Sequence, residues 1–441
     1  MPLAQSSKTS LSKWQARFAK FSELASTLSV VGSDACSAPG SWVGNVALKS
    51  VAFSGGTQVN IDGYAQKYAT PEWTNCWNNP YLYQVGSFPT VAAAWDVDPD
   101  SYDPRTPPMI QSDPSSLVGG LFTIPPTEMD VSGDRTQISL PATAMSGRFE
   151  FPCVQYFSKA EFVINWQVSW DGGVSWNGAG ASTHPIFVTL GMPSGANPPY
   201  HSVLYAACKV GGADGSSEAE TFENVWTNFR GLNVCKYNLD NGNFDIPLYY
   251  YQPGTSFVQN PGGDFAEMLR AGTGRCGMWQ TFFCRALLMN AVVATEVNVY
   301  RIGDRNVNKF FVNNWIKNDD LDLYWPPYNV LPAPTEMQDP GRFPVYGSLT
   351  SDTGLAGQND DTPSQKIWAD HAIVRYGDLW YDPSYGGKST PEGGSYSGEM
   401  DFQDKALFCI GSINYSISNP PIHLDYPFPS RDLYIYFDPS P

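Results

Sequence analysis

The residues of this chain that could do chemistry gather around one cysteine. Ala271-Gly272-Thr273-Gly274-Arg275-Cys276-Gly277-Met278-Trp279 opens a strongly apolar stretch running to about Asn290. Phe282, Phe283, Ala286, Leu287 and Leu288 mark it as a buried helix. The glycines free the backbone for an unusual approach, and Thr273 is a candidate N-cap. Cys276 then falls in the first turn. There the unused N–H groups and the helix macrodipole favour a thiolate, the form that attacks carbonyl carbon. An adjacent N–H can also receive the oxyanion of a tetrahedral intermediate. The plainer alternative is a small apolar cysteine packed at a helix start. Cys284, two turns on, reads as core.

A cysteine nucleophile needs a base, and His371 is the candidate. Asp370-His371-Ala372-Ile373-Val374-Arg375-Tyr376 is followed by Gly377-Asp378 and then by Leu379-Trp380-Tyr381-Asp382-Pro383. A two-residue loop with glycine first fits a type II′ hairpin. That register pairs Tyr376 with Leu379, Ile373 with Asp382 and His371 with Ser384. His371 and Asp382 become diagonal neighbours on one face, about 7–8 Å apart at Cα. An aspartate can orient an imidazole across that gap by accepting its N–H, as a nucleophile–base–orienter arrangement requires. A lone hairpin histidine is otherwise structural.

Together these segments resemble the transglutaminase-like superfamily of cysteine enzymes. Gly274-Arg275-Cys276-Gly277-x-Trp279 is similar to the GRCGxW core of peptide N-glycanases, and Asp370-His371 and Leu379–Pro383 resemble the second and third blocks of the family. The resemblance covers roughly residues 200–390. It implies a papain-like fold with Cys276 as nucleophile, His371 as base and Asp382 as orienter. It also implies an upstream aromatic or amide oxyanion donor, for which Trp226, Tyr249, Tyr250 and Tyr251 stand as candidates. Trp279 joins Trp226 and Tyr250 as a substrate-positioning candidate.

The chain departs from that pattern in several places. No CxxC pair precedes the nucleophile, Met278 stands where an acid is usual, and Ile373 stands where a tryptophan is usual. The interval from Cys276 to His371 is also long, with an insertion near 303–368. Its Pro-, Gly- and Asp-rich part, Trp325–Lys366, reads as a lid or substrate-selecting loop. The expected function is thiol-dependent acyl transfer to, or hydrolysis of, amides of a protein or glycoprotein. The alternative is a catalytically inactive transglutaminase-like fold that serves as a binding or assembly protein.

The elements that must position these residues follow from composition. The chain has 441 residues, 42% hydrophobic and only 16% charged, with 14 Trp, 24 Tyr, 24 Phe, 40 Gly and 36 Pro. That load excludes a disordered chain and points to many short strands joined by turns. The expected class is α+β, a papain-like transglutaminase core preceded by an N-terminal β-sandwich. Residues 1–32 form a helical segment, with Trp14, Phe18, Phe21 and Leu24 at helical spacing over 10–27, a surface to pack on the body of the protein or on a partner. Residues 33–195 form the sandwich, with strands at Ala47–Phe53, Ser139–Pro141, Ala160–Trp170 and Pro185–Gly191. Asp171-Gly172-Gly173 is its clearest hairpin turn, set between Trp166–Trp170 and Val174–Trp176. Residues 196–441 form the second domain, with helical periodicity over His201–Lys209, Glu218–Arg230 and Ala266–Ala294.

The remaining signals mostly exclude. A net charge of −17 argues against nucleic-acid and anionic-membrane partners. No apolar run spans a bilayer. No signal core precedes Val31, so the expected location is cytoplasmic or reached by a signal-independent export route. Cys/His spacing gives no zinc site, and no organic cofactor is implied. Asp96, Asp98, Asp100 and Asp103 raise Ca²⁺, but the loop lacks the Gly and Glu of an EF-hand and reads as solvated. Asn238, Asp240, Asn241, Asn243 and Asp245 read as an Asx-rich turn. His423 and Asp425 form the rival base–acid pair, ranked second because nothing like Leu379–Pro383 follows them.

Overall fold

The computed structural model describes residues 41–100, 105–149, 154–191, 198–208, 217–250, 265–301, 307–312, 357–359, 370–389, 407–415, 422–429 and 435–439. The protein is a mixed α+β chain with several β-sheets. Among the described residues there are four α-helices: α1 His201–Cys208, α2 Glu218–Arg230, α3 Phe265–Ala271 and α4 Cys276–Leu288. It divides into two compact units, Met1–Ser217 and Glu218–Pro441.

In the first unit, three sheets enclose one apolar core. The largest runs in the order Trp73–Thr74, Val46–Ser54, Thr90–Val97, Gln137–Ala144, Asp130–Val131, antiparallel throughout. Thr90–Val97 alternates half-buried and buried side chains along its length, the period of a strand with one face on a core. At the centre Trp95 and Trp166 meet edge to face, 5.2 Å between centroids. Each indole N–H is satisfied, Trp95 by Ala179 O at 2.9 Å and Trp166 by Ser182 Oγ at 3.0 Å, which offsets the cost of taking that polar group out of water.

Two expectations shift here. Val163–Ser169 and Asn177–Thr183 do form a hairpin, but Val174–Trp176 belongs to a wide loop and not to the second strand. The cause is Asp171: its carboxylate takes the N–H groups of Val174 and Ser175 and the hydroxyls of Ser169 and Ser175, winding the loop around itself. Those hydrogen bonds, led by Ser175, lower the Asp171 pKa to about 2. The units part at Ser217, beyond the composition change near residue 195. Between these two points α1 packs on the strand Ile186–Thr189: His201 meets the Phe187 ring, and Cys208 Sγ donates to Val188 O at 3.5 Å. Asp62, from the same unit, caps the start of α1 through the Ser202 N–H and hydroxyl.

The second unit is built on an antiparallel sheet ordered Gly387–Lys388, Leu379–Asp382, Asp370–Tyr376, Thr295–Arg301, Ile435–Pro439. α2 and α4 pack through aromatic rings: Trp226 and Phe229 both contact Phe283 edge-on, at 5.5 and 4.9 Å. Burying each such ring contributes about 1.5–3 kcal/mol. The periodicity over Ala266–Ala294 resolves into two helices, α3 and α4, split at Gly272–Arg275. A second sheet joins Val307–Val312, Leu407–Tyr415 and Ile422–Pro429, so part of the interval near 303–368 is strand. His423 and Asp425 lie two apart on its last strand. The N-terminal segment, Asp103, Tyr251 and all of Trp325–Lys366 except 357–359 lie outside the described residues.

Candidate active site

Local chain geometry delivers Cys276 to its place. α3 ends at Gly272, whose positive φ of +81° lets its N–H turn back to Met268 O at 2.8 Å. Lys236 supplies the remaining cap, its buried ammonium donating to Leu269 O and Arg270 O at 2.8 and 2.9 Å. The chain then straightens for two residues, Thr273-Gly274, which pair in parallel with Tyr249-Tyr250. Thr273 is therefore strand and not cap. The N-cap is Arg275, extended at φ −87°, ψ 172°, with no side-chain cap bond, and Cys276 is the first helical residue. The sequence places the cysteine correctly in the first turn but misassigns the cap, because the Tyr249–Tyr250 strand holds Thr273 before a helix can start.

His371 comes from the centre of the sheet. Gly377 has φ +59° while Asp378 keeps an ordinary φ, as a turn with glycine first requires. The observed register of Tyr376 with Leu379, Arg375 with Trp380 and Val374 with Tyr381 follows from that loop. It sets His371 Nε2 2.7 Å from Asp382 Oδ2, both side chains fully buried. The other carboxylate oxygen, Oδ1, accepts the Ser384 N–H at 3.0 Å and the Tyr385 N–H at 3.3 Å. The carboxylate is thus fixed by its own turn. Burial pulls the imidazole toward neutrality, but the Asp382 charge and hydrogen bond, with a smaller contribution from the Cys276 side chain, raise its pKa to about 10.

α4 is locked to the histidine strand by Gln280, one turn after Cys276. Its side-chain amide donates to Ile373 O at 2.6 Å and Val297 O at 2.9 Å, tying the helix to two adjacent strands. Tyr250 lies on the other side. Its strand partner is Gly274, two residues before the cysteine, and its ring meets Tyr385 at 5.0 Å, while Tyr385 lies 5.7 Å from His371. Burial, then the charges of Tyr385, Cys276 and Asp382, hold the Tyr250 phenol protonated far above its ordinary range.

The structure thus brings Cys276, His371, Asp382 and Tyr250 together. Trp226 and Trp279 pack among other aromatic rings. Trp226 packs on Phe283 and Tyr381, and Trp279 on Phe229 and Phe282. Both are completely buried, and neither indole N–H has a partner among the described residues. Sequence reading missed Gln280, Lys236, Tyr385 and Gln358. A polar residue inside an apolar helix pattern was the available signal for Gln280.

The sequence matches no protein-family model, and no curated protein sequence matches it. Among the described residues no group of three His, Cys, Asp or Glu could hold a metal ion, and no helix is long and apolar enough to cross a membrane. In the aspartate loop Asp96 pairs with Lys49 at 3.5 Å and Asp98 accepts the Asp100 N–H at 3.2 Å. Asp245 ties together Asn238 and Asn241 in the Asx-rich turn.

The thiols of the site differ in kind. Burial, with the Glu296 charge adding to it, pushes the Cys284 thiol far above its ordinary range. A buried neutral thiol is a poor nucleophile. The native protein treated with limiting iodoacetamide at neutral pH should therefore carry label on Cys276 and none on Cys284, read by peptide mass mapping.

Proposed function

We propose that the second unit is a transglutaminase-like, papain-like acyl-transfer domain acting on amides of a protein or glycoprotein, with the first unit a β-sandwich that helps position the substrate. One observation carries this reading. Cys276 is the first residue of a buried helix, and its side chain acts together with a buried carboxylate, held 2.7 Å from Nε2, on one buried imidazole.

In the proposed reaction Cys276 Sγ, its proton passed to His371, attacks the amide carbonyl carbon. Nε2 is committed to Asp382, so Nδ1 is the nitrogen that exchanges this proton. The C–S bond forms and the carbonyl electron pair moves to oxygen. Receiving that oxyanion are the Tyr250 hydroxyl and the Cys276 and Gly277 N–H groups, which precede the first hydrogen bond of α4, made by Met278 N–H to Arg275 O at 3.0 Å. His371 then protonates the amine nitrogen as the C–N bond breaks. Water or a second amine attacks the thioester, His371 takes its proton, and Cys276 leaves as thiolate. No cofactor enters these steps.

The alternative, an inactive fold kept for binding or assembly, is favoured by one feature: Cys276 is only 8% exposed. Reactivity decides between them. Cys276 should react rapidly with iodoacetamide below pH 7, and Cys276→Ala should abolish hydrolysis or amine exchange on glutamine- and glycan-bearing peptides without loss of fold. Uniformly inert thiols, or full activity in Cys276→Ala, would overturn the enzymatic reading.

A further inference from the structure

Three described residues inside the long interval between Cys276 and His371 are tied into the interior. Gly357 and Gln358 are buried and Asn359 is half-buried. Gln358 O accepts the Tyr250 N–H at 2.9 Å, and Gln358 N–H donates to Ser384 O at 3.0 Å, beside the turn that fixes Asp382. The Gln358 side-chain amide donates to Phe229 O and to Pro383 O, both at 2.7 Å. Asn359 continues the tie, its amide donating to Val234 O at 2.7 Å and Leu248 O at 2.8 Å, its N–H to Leu232 O. Three separate stretches, 229–234, 248–250 and 383–384, are therefore held by two residues. Gly357 also makes room: a Cβ there would overlap Cβ, Cγ and Cδ1 of Tyr250.

We infer that Gly357-Gln358-Asn359 is a positioning strap that sets the Tyr250 ring and hydroxyl against Cys276 and fixes Tyr250 relative to the Asp382 turn. The inference rests on the reading of Cys276 as a nucleophile and Tyr250 as oxyanion donor. Both faces of Tyr250's setting are accounted for. The Thr273-Gly274 pairing holds its strand from one side, and the strap holds its N–H and limits its ring from the other. A donor displaced by an ångström loses its hold on a developing oxyanion while leaving the nucleophile itself intact.

Two reagents separate these effects. Iodoacetamide alkylates a thiolate by displacement at saturated carbon and forms no oxyanion. p-Nitrophenyl acetate acylates the same sulfur through a tetrahedral oxyanion, the C–S bond forming as nitrophenolate leaves. Rates with both would be measured on the full chain for the native protein, Tyr250→Phe, Gly357→Ala and the double variant. Acylation should fall roughly tenfold or more in each single variant, the scale of a lost oxyanion donor, while alkylation stays within about twofold. The double variant should match Tyr250→Phe alone, since the strap acts through that hydroxyl. If Gly357→Ala fails to fold, Gln358→Asn, which shortens the amide without a clash, is read the same way. Unchanged acylation, an equal fall in both rates, or a further loss on top of Tyr250→Phe would overturn the strap alone. A native Cys276 inert to both reagents would instead overturn the nucleophile reading and the strap with it.

Discussion

Asp382→Asn should lower the rate of acyl transfer by about 10³–10⁴ and move its alkaline limb to lower pH. The carboxylate does two things at once. Through Oδ2 it holds His371 Nε2 at 2.7 Å, and through Oδ1 it is itself held by two backbone N–H groups. An asparagine oxygen can keep one hydrogen bond to the ring but carries no charge. The sign of the pH effect follows. In the native protein burial lowers the imidazole pKa, and Asp382 with Cys276 more than reverses this, to about 10. The imidazolium that the proposed reaction needs to protonate the leaving amine should therefore persist until the pH approaches that value, where the rate should fall. Without the carboxylate charge burial prevails, and the imidazolium is lost from below its ordinary value of 6.5 upward. A pH–rate profile of both proteins checks this. An unchanged alkaline limb would show that Asp382 does not govern the histidine. Asp382→Ala should be worse for the fold, by about 3–5 kcal/mol in urea denaturation, because it strands a buried histidine and two buried N–H groups.

Gln280→Leu has the second largest expected effect, and it falls on stability and geometry together. Gln280 is buried, and its side-chain amide bonds carbonyls on two neighbouring strands. Leucine keeps the volume but removes both bonds, leaving Ile373 O and Val297 O facing an apolar side chain. Each lost buried partner costs about 1–3 kcal/mol, so the variant should lose roughly 2–6 kcal/mol in urea denaturation. Ile373 lies two residues from His371, and Gln280 one turn from Cys276. Loosening that bolt should therefore also slow alkylation of Cys276 in the folded variant, by about tenfold. Gln280→Glu, protonated at low pH, should recover part of the stability there and lose it as the pH rises. A Gln280→Leu protein as stable and as reactive as the native one would show that α4 is seated by its aromatic face alone.

Much of the candidate site was legible in the sequence because it is local. The two-residue Gly377-Asp378 loop fixes the pairing of Tyr376 with Leu379, and the period of two then carries His371 and Asp382 to one face. α2 begins and ends where its pattern predicts, at Glu218 and Arg230, and the apolar run after Arg275 is the helix it resembles. Cys276 in a first turn needed nothing beyond that run.

What only the tertiary structure decided depends on partners far apart in the chain. Tyr250, the candidate that the proposed reaction uses, owes its setting to its pairing with Gly274 and its bond to Gln358 O. Trp226 and Trp279, equally plausible by type, are taken up by the core between α2 and α4 because that core requires large apolar volume. Thr273 loses its capping role to a two-residue strand that no local pattern announces. Gln280, Lys236 and Gln358 are polar residues whose partners lie 17 to 129 positions away. Turn chemistry and periodicity act over a few residues and are written in the sequence. The satisfaction of buried polar groups is settled only when distant segments meet.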